Sequence, residues 1–258
     1  VIIPVDFSET SLNAARYAAK MLSGKENAQA VLYHNYDSDD EYDICLNYQE
    51  SLKKEFLKAG VKNVICEHEM GGDLIENISL LAHSIRATLV VMGITGKSAI
   101  AQVLFGSNTL KMAERKVCPV LIVPENATFS PIKNVMLTSD FKSTLNTTPS
   151  VPIKDFLNIF KPQLHIVNVD NEHYISLTEN YEAEKQELQQ MFAEYNPEFY
   201  FMRLFDVDEA INIFAESRNI DLIIAVQKNR SFIGKLLSGS RTKTLTYHSK
   251  MPIMIMHE

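Results

Sequence analysis

Residues 89–124 read LVVMGITGKSAIAQVLFGSNTLKMAERKVCPVLIVP, and this stretch decides the fold class. It opens on an apolar run with no polar alternation, the pattern of a strand buried on both faces of a parallel sheet. Gly93 stands at the end of that run, Gly96 follows after two intervening residues, and Gly106 after nine more. Ser107, Asn108 and Thr109 then open an amphipathic helix. A strand, a glycine-bearing loop and a hydroxyl-rich helix start together make a phosphate cradle. Glycine lets the backbone approach an anion closely, and a helix N-terminus offers unpaired N–H groups and about half a positive charge.

Two better-known glycine loops are excluded. GITGKS lacks the four residues that a P-loop places between its first glycine and Gly-Lys-Ser, and Val91 holds the place of that glycine. No pair of glycines there sits one residue apart, so it is not a dinucleotide fingerprint. The spacing Gly-x2-Gly-x9-Gly-Ser, with a strand before it and Val-Leu-Ile-Val-Pro after it, instead resembles the nucleotide-binding motif of the universal stress protein family.

Laid on itself, the sequence repeats with a period of about 133 residues. VIIPVDFSETS at Val1–Ser11 matches VMLTSDFKSTL at Val135–Leu145, placing Asp6 on Asp140 and Phe7 on Phe141. AVLYHNYD matches LHIVNVD, ATLVVMG matches IDLIIAV, LFGSNTLK matches LSGSRTKT, and CPVLIVP matches MPIMIMH, all in the same order. The polar, proline-terminated ENATFSP, Glu125–Pro131, reads as the linker. The expected domains are therefore residues 1–125 and 132–258.

Each half alternates strands and helices. In the first, strands are expected near Val1–Asp6, Ala30–Tyr36, Asn63–Glu69, Thr88–Gly93 and Val120–Pro124, with helices near Thr10–Leu22, Leu46–Ala59, Leu74–Arg86 and Ser107–Arg115. The second half repeats the pattern, with a long acidic helix at Ile175–Glu194. Right-handed crossovers between such strands give an α/β chain of two tandem, doubly wound, parallel five-stranded sheets flanked by helices. Ligands of such sheets sit beyond the strand C-termini at the topological switch point, where Asp6, Asn35 and Gly93 converge.

Composition narrows the function. With 258 residues and 46% apolar content, two well-formed cores are within reach. A net charge of −7 argues against nucleic acid as the main partner, because phosphate contacts need clustered Lys and Arg. No apolar run approaches a membrane span. Cys45, Cys66 and Cys118 are odd in number and show no CxxC, which suits a reducing cytoplasm. The seven histidines form no i, i+4 pair, so a metal site built by protein alone is not expected. The acidic run Asp37–Asp43 reads as a solvated loop.

The resemblance covers nearly the whole chain as two copies, and it implies an adenine nucleotide α-hydrolase-like fold that binds ATP. Carried over by motif position, Pro4, Val5 and Asp6 contact adenine and ribose, Asn35 lines the adenine pocket, and Met92 and Gly93 end the fourth strand. Gly96, Gly106, Ser107, Asn108 and Thr109 take ribose and phosphates, with Mg²⁺ held through the phosphates. Family members commonly carry valine where this chain has Asn35, a departure that alters adenine fit. The resemblance also implies pairing through the last strand of each domain, as an intramolecular pseudo-dimer of Val120–Val123 with Ile253–Met256 that could pair again as a homodimer. In the second copy Val226 and Asn229 replace Gly93 and Gly96, while Asp140, Gly239, Ser240 and Thr242 remain. That site is expected to be empty or weak.

No nucleophile–base pair, oxyanion element or paired catalytic carboxylates can be named. That favours a nucleotide-responsive binding protein over an efficient enzyme, and the resemblance implies that it acts as a regulator in the stress response. The competing readings are a nucleotide-independent interaction module and a slow ATPase.

Overall fold

The computed structural model describes residues 1–94, 107–170, 179–203, 207–227 and 251–258. The chain divides into two compact units, Val1–Phe129 and Ser130–Glu258.

The first unit runs β1 (Ile2–Pro4), α1 (Glu9–Leu22), β2 (Gln29–Tyr36), α2 (Asp39–Lys58), β3 (Asn63–Met70), α3 (Leu74–Ser84), β4 (Val90–Ile94), α4 (Ser107–Glu114), β5 (Val120–Pro124). Its strands pair in parallel in the order β3-β2-β1-β4-β5. Sequential strands therefore step outward from β1 in one direction and from β4 in the other, which puts the switch point between β1 and β4. Ile2, Ile3, Leu32, Val90, Val91 and Leu121 are fully buried, as apolar strand runs covered on both faces require. Ser8 caps α1 by accepting from Ser11 N, with Glu9 in the first turn.

Helix α2 begins at Asp39, well before the expected Leu46. The acidic run read as a solvated loop is in part its opening turn, where carboxylates are favoured by the helix dipole. Further along α2, the buried Gln49 amide donates to the carbonyls of Leu32 and Glu67 at 3.1 and 2.9 Å and so ties the helix to β2 and β3.

The second unit runs β6 (Asn134–Thr138), α5 (Thr144–Thr147), α6 (Ser150–Phe160), β7 (Gln163–Asp170), α7 (Glu179–Met191), β8 (Glu198–Arg203), α8 (Val207–Ser217), β9 (Leu222–Gln227), β10 (Ile253–His257). Its strands pair in parallel in the order β8-β7-β6-β9-β10, the same winding. The expected start of the acidic helix at Ile175 lies outside the described residues. Where α1 is continuous, its counterpart is split into α5 and α6. Pro149 disfavours helical geometry at Thr148, so the chain breaks there and restarts at Ser150. The Asp221 carboxylate accepts from the backbone N–H groups of Lys133 and Asn134 at 2.8 and 3.0 Å, fixing the start of β6.

His165 on β7 is buried beside Tyr200, Phe214 and Glu198. Burial pushes its pKa below the ordinary histidine value, with Glu198 opposing in part. The folded state thus takes up its proton at lower pH than the unfolded chain does. The stability His165 contributes is present above the unfolded pKa of about 6.5 and is lost as pH falls through and below it. Urea midpoints of the wild type should drop on going from pH 7.5 to 5.5, and His165→Gln should flatten that drop. An unchanged slope in the variant would assign the pH dependence to other groups.

Candidate functional site at the strand ends of the first unit

Register brings the expected residues of the first three strands to one level. Pro4 pairs with Tyr33, so β1 continued by two residues sets Asp6 level with Asn35, which in turn pairs with Glu69 on β3. On the other side, Ile2 pairs with Val90, which sets Val5 level with Gly93. The result is a polar row of Asp6, Asn35 and Glu69 along the C-terminal edge of the sheet that ends at the switch point, with Gly93 one residue lower across it. Pro4, Val5 and Met92 lie buried beneath it.

Asp6 is exposed, and one of its oxygens accepts from the Ser8 N–H at 3.0 Å and from the Ser8 hydroxyl. Partial desolvation opposes ionisation, but the Ser8 and Ser11 hydrogen bonds outweigh it and hold the carboxyl below its usual range. Asp6 is thus an ionised acceptor at neutral pH. The alternative role of helix cap belongs to its neighbour Ser8.

Phe7, the next residue, takes the left-handed conformation with φ 60°, and its repeat counterpart Phe141 does the same with φ 54°. Such a conformation costs a bulky residue about 1–3 kcal/mol and persists only where packing dictates it. In the first unit the Phe7 ring lies 4.7 Å from His34 and stacks on Tyr48 at 5.1 Å. In the second, Phe141 stacks on Tyr181 at 5.0 Å. Tyr48 and Tyr181 are separated by the repeat period, so one aromatic pair has been kept in both copies. His34 Nδ1 sits 2.6 Å from the Val5 carbonyl oxygen. That oxygen can only accept, so Nδ1 carries the proton.

Gly93 has a packing reason that the sequence did not show. Its φ is not positive; rather, a Cβ there would lie 2.6 Å from the Thr10 carbonyl oxygen and 2.8 Å from Thr10 Cγ2. Helix α1 presses directly on the end of β4 at this point. From the other side the buried Thr109 of α4 donates its hydroxyl to the Gly93 carbonyl at 2.8 Å. Thr109 therefore anchors α4 to the strand end. Asn108 is exposed in the first turn of α4, and Ser107 opens that helix. Gly96 and Gly106 lie outside the described residues.

Three residues of the site carried no signal in the sequence. The Asn35 carbonyl oxygen accepts from Asn77 Nδ2 at 2.9 Å and lies 3.2 Å from the Tyr33 hydroxyl. The Tyr33 hydroxyl also lies 3.3 Å from a Glu69 oxygen, and burial followed by the Glu69 charge pushes its pKa up to about 12. Asn77, Tyr33 and Glu69 come from α3, β2 and β3, and only tertiary structure gathers them.

The family model for universal stress proteins matches residues 1–124 and 163–257, one segment in each unit. The chain belongs to the universal stress protein family. A universal stress protein of Methanocaldococcus jannaschii is 30% identical over 136 residues, covering 48% of this chain and 80% of that protein. Among solved structures, a universal stress protein from Archaeoglobus fulgidus shares the fold over 99% of this chain and 95% of its own, with a TM-score of 0.67 at 17% identity. A Pseudomonas aeruginosa protein of unknown function shares it over 99% and 91%, with a TM-score of 0.61 at 14% identity. These matches show that the fold of the whole chain recurs in other proteins, one of them a universal stress protein. Among the described residues no helix is long and apolar enough to cross a membrane.

Proposed function

We propose that the first unit of this universal stress protein binds an adenine nucleotide, ATP, and that occupancy serves as a regulatory signal in the stress response. One observation carries the reading: across the switch point Asp6 stands level with Asn35 on one side and Gly93 level with Val5 on the other, beside the start of α4. The first-turn N–H groups of α4 have no partner within the helix, and the dipole there favours an anion. The ionised Asp6 suits a ribose hydroxyl, which can donate to it. ATP fits this donor and acceptor set, with phosphates toward α4 and the nucleoside toward β1 and β2. Mg²⁺ would ride on the phosphates, since a cation of that kind keeps most of its own waters and is commonly held through substrate oxygens. The three free thiols of Cys45, Cys66 and Cys118 suit a reducing compartment.

In the second unit a β-branched side chain, Val226, occupies the place of Gly93, so that unit is assigned no nucleotide. Isothermal titration of the full chain with ATP and Mg²⁺, after removal of carried-over nucleotide, should give one site per chain in the micromolar range. Two sites would return the second unit to service. No heat, together with no nucleotide released on denaturation, would move the protein to the interaction-module reading.

A further inference from the structure

Asn77 is pinned by a group whose hydrogen-bonding role admits no choice. Its Nδ2 donates to the Gly71 carbonyl at 3.0 Å as well as to Asn35. A backbone carbonyl can only accept, so the Asn77 atom between it and Asn35 must be the amide nitrogen. Asn35 must then answer with its carbonyl oxygen, which fixes an amide orientation that is otherwise ambiguous. The loop around Asn77 is built to hold it. Gly71 and Gly72 both take positive φ, and a Cβ on Gly72 would lie 3.0 Å from Asn77 Nδ2.

The consequence falls on the free end of Asn35. With its oxygen committed inward, the NH₂ is the only group Asn35 has left to offer. Among the described residues nothing accepts from it, and it is not sealed from solvent. Adjacent strands lie about 4.8 Å apart, so from β4 to β2 is ~10 Å, the reach of a nucleoside laid across the strand ends with its phosphates at α4. The base then arrives at Asn35. An asparagine with both groups free reads a 6-aminopurine by accepting from N6 while donating to N7. Here the acceptor is taken, and the remaining donors meet an amine unfavourably but a C6 carbonyl favourably.

We propose that Asn77 is a specificity-determining residue: by holding Asn35 with its N–H groups outward, it makes the base end of the site donor-only and adapts it to 6-oxopurine nucleotides, which bind at least as tightly as ATP. This rests on the nucleotide reading of the first unit and refines its base.

The test is titration of the full chain with ATP and with ITP, each with Mg²⁺, for wild type, Asn77→Leu and Asn77→Asp. Asn77→Leu frees Asn35 to turn; Asn77→Asp loses the bond to the Gly71 carbonyl and sets an acceptor against Asn35, whose N–H groups turn inward to meet it and leave its oxygen outward. Wild type should bind ITP as tightly as ATP or tighter, and both variants should shift the ITP-to-ATP affinity ratio about tenfold toward ATP. If the leucine variant unfolds, as circular dichroism would show, the nearly isosteric aspartate variant decides. Tighter ATP than ITP in wild type, or a ratio unmoved by the variants, overturns the assignment to Asn77 while leaving nucleotide binding intact. No binding of either nucleotide overturns both.

Discussion

Gly93→Val is expected to destabilise the first unit by roughly 3 kcal/mol or more, and so to lose nucleotide binding through loss of structure. Two contacts set the size of the effect. The new Cβ would stand 2.6 Å from the Thr10 carbonyl oxygen and 2.8 Å from its methyl carbon. The methyl could turn aside, but the carbonyl belongs to the backbone of α1. Relief therefore requires α1 to lift from β4, which uncovers fully buried residues such as Ala15, Ala18 and Val91. Thr109 would be disturbed from the other side, because its hydroxyl is bonded to the carbonyl of the substituted residue. Urea denaturation should show a lowered midpoint, and Gly93→Ala a smaller loss of the same sign, since alanine brings the same Cβ without branches. Thr10→Ser in the Gly93→Val background should restore only part, because it removes the methyl and leaves the carbonyl. A midpoint equal to the wild type's would mean that α1 and β4 do not meet as closely as described. A binding defect in Gly93→Val reports on the site only where the fold survives, which the urea midpoint reads directly.

That result bears on what was legible in the sequence. The doubly wound sheets were, because parallel strands buried on both faces are written as unbroken apolar runs, and the repeat made each half support the other. The polar row was legible in part. Asp6, Asn35 and Gly93 stand at strand ends, and the end of an apolar run marks its position. What hid was everything set by tertiary approach. Gly93 drew attention as part of a phosphate loop, yet its immediate neighbour is Thr10 on another element. Asn77 looked like any polar residue of an amphipathic helix, and only the Gly71 carbonyl shows that its orientation is fixed. The acidic opening of α2 was misread because charge density alone does not separate a loop from a helix N-terminus, where carboxylates are favoured. The left-handed Phe7 and Phe141 had no local signature, since phenylalanine has no preference for that region.

The second unit carries its own consequence of divergence, and it predicts the other large effect. At the turn where α1 is capped by Ser8, its counterpart α5 is held by a carboxylate from elsewhere in the unit. Glu184 of α7 accepts from the N–H groups of Ser143 and Thr144 at 2.9 and 2.7 Å, and its Oε2 lies 2.7 Å from the Thr144 hydroxyl. Thr144 is completely buried and Ser143 is itself in the left-handed region, φ 52°. A one-turn helix has almost no internal hydrogen bonding, so this carboxylate does the work that further turns would do. Glu184→Ala should leave both N–H groups without their acceptor. At roughly 1.5–3 kcal/mol for hydrogen bonds to a charged group, softened by partial access to water, the loss should be about 3 kcal/mol. Glu187, whose oxygen is 3.0 Å from the Thr144 hydroxyl, can take over that group but not the backbone donors. Glu184→Gln keeps one acceptor oxygen and should cost about half as much. Amide hydrogen exchange would localise the effect: Thr144 should lose protection in the alanine variant while β1 and β2 keep theirs. Unchanged protection at Thr144 would show that α5 is held by the Phe141–Tyr181 stack instead, and that the carboxylate is incidental to it.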